Sequence, residues 1–188
     1  MKEINQKQLL ETLETRVESH LTQAIHQFQN LTEKELLQAA TDGGWSIAQC
    51  LEHLNSYGDY YLPLIEKNLK GADNQLENGS FKSSWLGNYF IRMMEPTTGK
   101  KKFKAFKGHI PVPELDAYAV IAEFIRQQEQ LLYLLKKAEK VDLNSIRIPI
   151  SITRFIKLKL GDVFQFIIAH DERHIQQAMR VHKNPNNS

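Results

Sequence analysis

Apolar side chains recur every three or four residues along several stretches of the chain, which is the spacing that places them on one face of a helix. The first of these stretches, Lys2 to Asn30, predicts a long amphipathic helix. Three further long stretches have the same spacing: Ser46 to Gly71, Asp116 to Lys140, and Gly161 to Val181. The pattern therefore predicts an all-α protein in which four long helices bury their apolar faces in a bundle.

Capping residues indicate where several of the helices begin. Ser46 and Gln49 form a capping-box pair, with Ser46 as the N-cap of the second long helix. Thr32 and Glu35 repeat this pattern before a short helix. Asp162 is the predicted N-cap of the last helix. These signals are local, so they predict the ends of the helices but not how the helices pack.

The segments between the long helices differ in character. Ala72 to Val112 predicts a long irregular connection between the second and third long helices, with one apolar piece, Phe81 to Met94, that fits a further helix. Val141 to Ser151 alternates weakly between polar and apolar residues and contains Pro149, which predicts an extended connector. One such connector cannot form a sheet, so the expected fold has no β-sheet.

The composition is that of an ordinary globular protein. The 188 residues are 41% hydrophobic and 24% charged, and they fit one domain, predicted at 1–183, followed by a polar tail at 184–188 that is expected to be disordered. A net charge of +2 gives no case for a nucleic-acid or membrane partner. The single cysteine, the lack of an apolar signal region and the lack of a membrane-length apolar run predict a cytoplasmic protein.

Two histidines in the last predicted helix carry the first candidate chemistry. His170 and His174 are four residues apart, so both imidazoles project from the same helix face and continue its apolar stripe. Neutral imidazoles in an apolar interior are costly unless something binds them, and a divalent metal ion is one such partner. A pair with this spacing also occurs by chance, as polar residues of a core. A catalytic-type metal site needs a third protein ligand.

His53 is the best candidate for that third ligand among the other five histidines. It follows Cys50 by three residues and precedes Tyr57 by four, so it borders the inner face of the second long helix. A surface or interface histidine is the alternative interpretation. Cys50 is a candidate soft ligand, although a small buried core residue is the simpler interpretation. Three imidazoles suit Zn or Ni, with Mn or Fe as alternatives.

Polar residues around the histidine pair are candidate catalytic groups. Gln177 follows His174 by three residues and is a candidate to orient a substrate or a water, with an interhelical hydrogen bond as the alternative. Asp171, Glu172 and Arg173 are expected to point away from the histidine face, as solvent or interface residues, with Glu172 as a candidate to support a ligand. Because Asp171 stands where a His-Glu-x-x-His motif has its glutamate, the protease-type general base is missing.

Three segments together resemble the DinB/YfiT-like superfamily of metalloenzymes: GGWSIAQCLEHL at 43–54, KKFKAFKGHIPVP at 101–113 and LGDVFQFIIAHDERHIQQAMRV at 160–181. The resemblance implies a four-helix bundle in up-down-down-up order. It also implies that a divalent metal ion is held by three histidines, which are His53, His170 and His174 here. It further implies a homodimer, for which Tyr57, Tyr60, Phe81 and Tyr89 are the expected exposed aromatic residues.

The resemblance leaves the activity, and whether the protein is an enzyme at all, open among three functions. The first is a thiol S-transferase that attaches a low-molecular-weight thiol to a small electrophilic substrate. The second is a metal-dependent hydrolase, which the missing general base disfavours. The third is a non-catalytic, stress-linked metal-binding protein. The basic run Lys100–Lys107 is either a solvated loop or a contact for an anionic group of the thiol.

Overall fold

The computed structural model describes residues 3–41, 43–72, 79–98 and 104–183. These residues are mostly helical and also form two short antiparallel β-ribbons. The helices are α1 (Gln6–Gln23, continued by a π-helical turn at Ala24–Phe28), α2 (Glu33–Leu37), α3 (Ile47–Lys70), α4 (Trp85–Met94), α5 (Ala117–Ala138) and α6 (Leu160–Lys183), with a 3₁₀ turn at Lys107–His109. The strands are β1 (Ile4–Asn5), β2 (Ser80–Phe81), β3 (Arg147–Ile150) and β4 (Thr153–Lys159).

The four long helices pack in a closed arrangement. Helix α3 packs mainly against α5 and α6, and α1 packs against the same two helices, so α1 and α3 lie diagonally across the core. Helix α4 packs on α6. The prediction of a helical protein with four long helices is therefore confirmed, with two β-ribbons added to it. The up-down-down-up order stays a prediction.

The predicted caps of α2 and α3 are present. The Ser46 side chain accepts a hydrogen bond from the Gln49 N–H at 3.2 Å, and the Gln49 side chain accepts one from the Ser46 N–H at 3.0 Å. Thr32 and Glu35 form the same reciprocal pair. Both predicted capping boxes are therefore present, and α2 and α3 begin where the local sequence predicted.

The expected absence of a sheet is wrong around residues 141–159. Strand β3 pairs antiparallel with β4, with Ile148 opposite Leu158. The Tyr61 hydroxyl accepts a hydrogen bond from the Ser151 N–H at 3.1 Å, which ties the turn of this ribbon to α3. The extended connector was predicted but its partner strand was not, because a ribbon depends on a second segment that pairs with the first.

Asp162 is not the N-cap of the last helix, which begins two residues earlier at Leu160, directly after β4. The Asp162 side chain is fully buried and accepts hydrogen bonds from the N–H and Oγ of Ser84, at 3.0 and 2.7 Å. Ser84 is in turn the N-cap of α4. A Cβ on Gly87 would lie within 2.6 Å of three Asp162 atoms, so glycine permits this close contact of α4 with α6.

Two of the four aromatic residues expected at the surface are buried. Tyr57 and Phe81 belong to the core, and Tyr60 is half-buried with its hydroxyl donating to the Ile150 carbonyl, whereas Tyr89 is exposed as expected. Residues 100–103 of the basic run and the predicted tail at 184–188 lie outside the described residues. In the part of the chain that is described, no helix has both the length and the apolar character needed to cross a bilayer.

Candidate metal centre

Three histidines from two helices meet in the interior of the bundle. His53 lies on α3, and His170 and His174 lie one turn apart on α6. Each offers a ring nitrogen, and these three atoms lie within 4.8 Å of one another. The ring centroids are 4.7 to 5.0 Å apart in all three pairs. The structure therefore brings together the three residues that the sequence analysis singled out as metal ligands.

The closest pair of ring nitrogens has the spacing of two ligands on one ion. The Nε2 atoms of His53 and His170 are 3.2 Å apart. Two nitrogens that each lie about 2.0–2.1 Å from a tetrahedral zinc ion are separated by about 3.3–3.4 Å. The cluster can thus hold a metal ion with little change in the positions of these two rings.

Hydrogen bonds at the far side of two rings orient their lone pairs. His53 Nδ1 donates to the carbonyl of His109 at 2.6 Å, and His174 Nδ1 donates to Gln177 Oε1 at 3.0 Å. In a neutral imidazole this leaves the Nε2 lone pair of each ring free for a cation. His170 Nδ1 is buried without a hydrogen-bond partner among the described residues, so packing and the contact of its Nε2 atom with His53 orient this ring.

Burial keeps all three imidazoles neutral. It lowers the pKa of His53 to about 4 and that of His174 to about 3, and it lowers the pKa of His170 well below its ordinary value. Neighbouring histidines add repulsion that lowers the pKa of His170 and His174 further. Neutral imidazole is the form that binds a metal ion, so the triad is ready to bind one near pH 7 without first losing protons.

Aromatic rings enclose the triad. The Trp45 ring lies 4.8 Å from that of His53 and 5.8 Å from that of His174. Tyr57 lies 4.5 Å from His170, and Phe166 stacks on His170 at 5.8 Å. These apolar walls lower the local dielectric constant, which strengthens any interaction between a charged group and the site.

His109 has a role that the sequence analysis missed. Its backbone carbonyl accepts the His53 hydrogen bond, and its ring stacks on Tyr57 at a centroid distance of 3.9 Å. Ser56 holds the His109 ring in place, because Ser56 Oγ donates to the His53 carbonyl and lies 2.9 Å from His109 Nδ1. A backbone carbonyl is common to every residue type, so no sequence signal marked this contact.

Two other predicted candidates have clear positions. Gln177 contacts the triad through His174 of the same helix, because its Oε1 atom accepts a hydrogen bond from His174 Nδ1. Cys50 is fully buried in the core, and burial raises the pKa of its thiol to about 12. Among the described residues Cys50 does not join the histidine cluster, so its interpretation as a core residue is the better one.

Asp171 and Glu172, which were expected to be solvent or interface residues, both contact neighbouring helices of the bundle. Asp171 is buried and accepts a hydrogen bond from Gln128 of α5 at 3.1 Å, and burial raises its pKa to about 6. Glu172 lies 2.8 Å from Nε2 of the fully buried His20 of α1, and this contact lowers the pKa of Glu172 to about 2. Both carboxylates therefore join α6 to its neighbours on the side away from the triad.

Replacing Gln177 by leucine is expected to weaken metal binding by about 10–100-fold, because His174 loses the acceptor that fixes its tautomer and ring orientation. Competition with a chromophoric chelator measures the affinity. Gln177→Glu keeps an acceptor oxygen at this position and is expected to retain tight binding. Equal affinity in the wild type and Gln177→Leu, or equal weakening in both variants, would contradict the assigned role.

Comparison with known protein families gives a match over most of the chain. The family model described as the DinB superfamily matches residues 16–178, a range that contains all three histidines of the triad. No curated protein and no solved structure matches.

Proposed function

Because the chain belongs to the DinB superfamily, we propose that it is a metal-dependent enzyme that transfers a low-molecular-weight thiol to a small electrophile. His53, His170 and His174 hold a divalent metal ion, Zn or Ni. The observation that carries the proposal is the meeting at one point of three neutral imidazoles from two helices, those of His53 and His170 buried and that of His174 half-buried. Three protein ligands are what catalytic zinc sites use, because a fourth position then stays open for a reactant.

The residues of the site fit such a group by their donor set and by their surroundings. Three nitrogen donors suit Zn or Ni better than Mg or Ca, which prefer oxygen ligands. When bound, the metal ion acts as a Lewis acid that lowers the pKa of a coordinated thiol. The chain itself orients His53 and His174 through His109 and Gln177, and it shields the site from water with Trp45, Tyr57 and Phe166.

The distribution of carboxylates supports thiol transfer over hydrolysis. No Asp or Glu of the described residues joins the histidine cluster, and Asp171 and Glu172 are engaged with Gln128 and His20 instead. Hydrolysis needs a general base to take a proton from water. A thiolate already carries its electron pair, so the new carbon–sulfur bond forms as the leaving group departs, and the thiol proton passes to solvent.

Two accompanying expectations concern the surface. Lys104 and Lys107 of the basic run are exposed, and we propose that they attract a carboxylate or phosphate of the thiol. We also propose a cytoplasmic homodimer, for which Trp85, 79% exposed and stacked on Tyr89, is a candidate contact. Light scattering over a range of concentrations tests the dimer, and a molar mass equal to that of one chain at every concentration would contradict it.

The test compares zinc-loaded, nickel-loaded and chelated protein with a panel of low-molecular-weight thiols and a chlorinated aromatic acceptor. The proposal expects a metal-dependent rate with at least one thiol, and loss of that rate in His53→Ala. Parallel ester and amide panels distinguish hydrolysis. Turnover of an ester without thiol would support a hydrolase, and stoichiometric metal without turnover of any substrate would support a binding protein.

A further inference from the structure

An open apolar pocket lies beside the triad, with about 370 Å³ of empty space that extends into open solvent. It shares two wall residues with the metal centre, since Tyr57 and Phe166 line the pocket and both also pack against the His170 ring. The lining residues are Tyr57, Tyr61, Phe90, Met93, Met94, Phe106, Ile150, Ser151, Ile152, Leu158 and Phe166.

Among the residues that the structure describes, the pocket wall carries no ionised side chain. The polar side-chain groups of the lining are the uncharged hydroxyls of Tyr57, Tyr61 and Ser151. The Tyr61 hydroxyl is engaged with the Ser151 N–H at 3.1 Å. An ionised group placed here would lose its hydration without gaining a partner, which is strongly unfavourable. The pocket therefore favours uncharged, apolar ligand groups.

Two segments outside the long helices supply most of this wall. Helix α4 contributes Phe90, Met93 and Met94, and the ribbon of β3 and β4 contributes Ile150, Ser151, Ile152 and Leu158. Methionine side chains are flexible and polarisable, so they adapt to ligands of different outline. The pocket suits a class of apolar groups better than one rigid shape.

We infer that this pocket binds an uncharged apolar group, an alkyl chain or an aryl ring, of the electrophilic substrate, whose reactive end lies at the triad. The inference rests on the proposed function, because it takes the triad as the reaction centre. It adds that the substrate pairs a small reactive head with an apolar body of limited size. Tyr57 and Phe166 connect the two parts, since each touches both His170 and the pocket.

The first test uses n-alkyl hydroxamates, which join a metal-binding head to an alkyl chain, with zinc-loaded protein. The affinity is expected to rise about fourfold for each methylene that the pocket buries, and to level off when the pocket is full. Isothermal titration of the series from acetohydroxamate to octanohydroxamate gives this dependence. Equal affinity for the shortest and the longest member would overturn the inference.

A matched pair of variants locates the binding. Ile152 and Ile156 lie on one ribbon and are 43% and 38% exposed, but only Ile152 lines the pocket. Ile152→Glu is expected to weaken octanohydroxamate at least about tenfold, because the chain then lies against a carboxylate, and to leave acetohydroxamate unchanged. Ile156→Glu is expected to leave both unchanged. An equal loss in the two variants would overturn the inference.

A ligand without a metal-binding group tests the pocket independently of the metal centre. n-Hexanol is added to metal-free protein labelled with ¹³C at the methionine methyl groups. The methyl signals of Met93 and Met94 are expected to shift. That of Met179 is expected to stay in place, because Met179 packs against a separate core cluster that includes Phe28 and Phe124. Shifts with hexanol but no hydroxamate binding would contradict the proposed metal centre and leave the pocket intact. No shift of Met93 or Met94 would overturn the pocket itself.

Discussion

Protein with His170 replaced by alanine is expected to be purified as a folded bundle that has lost most of its metal. The His170 Nε2 atom lies 3.2 Å from the His53 Nε2 atom, and the His170 ring centroid lies 4.8 Å from that of His174. His170 therefore contacts both of the other histidines. Only 3% of the residue is exposed, so water cannot readily replace the lost ligand. The loss of metal affinity should exceed the factor of about 10–100 that follows when a residue hydrogen-bonded to a metal ligand is removed.

Elemental analysis of the freshly purified protein measures this loss, and circular dichroism with thermal melting confirms the fold. The fold is expected to persist because alanine removes a buried Nδ1 atom that has no hydrogen-bond partner among the described residues. His26→Ala is the matched control, since His26 is exposed on the π-helical turn after α1. Stoichiometric metal in His170→Ala would reject the proposed centre, and stoichiometric metal in His53→Ala would reject the third ligand.

The largest effect on stability is expected from Phe164→Ala. Phe164 lies on α6 with none of its surface exposed and belongs to the core cluster that also contains Leu10, Tyr61 and Leu135. Truncating a buried phenylalanine removes its transfer free energy and leaves a cavity, at a cost of about 3–5 kcal/mol in the free energy of unfolding. In a chain of this size the melting temperature falls by roughly 2–4 °C for each kcal/mol.

Phe155→Ala is the control for this substitution because the same side chain on β4 is 91% exposed. Its free energy of unfolding is expected to change by no more than about 0.5 kcal/mol. Denaturant titrations of metal-free samples compare the two variants without a contribution from metal binding. Similar losses in both variants would mean that the burial assigned to α6 is wrong.

Local signals predicted the helices and their caps well, since periodicity and capping act within a few residues. The pair of β3 and β4 could not be predicted in the same way, because pairing depends on a second segment and on its register. Asp162 was placed at a helix start by its residue type alone. Its actual partner, Ser84, lies 78 positions away in the sequence, and no local pattern connects the two.

The triad was predictable because two of its members share one helix face and His53 borders the apolar stripe of another helix. Asp171 was expected to be a solvent or interface residue because periodicity assumes one buried face. Helix α6 packs against α1, α3 and α4, so residues on its remaining sides are buried as well. The His109 carbonyl was unpredictable, since it comes from the backbone of a loop between α4 and α5.

The histidines and much of the pocket wall lie on different segments of the chain, which has an evolutionary consequence. The imidazoles stand on α3 and α6, whereas α4 and the ribbon of β3 and β4 form much of the wall beside them. Under the proposed function, point mutations in these two connecting segments would change which compounds bind beside the triad without moving the histidines. A gene duplicate could thus acquire a new specificity through a few changes at Phe90, Met93 or Ile152, and descendants of one ancestor could diverge in substrate while retaining the same chemistry.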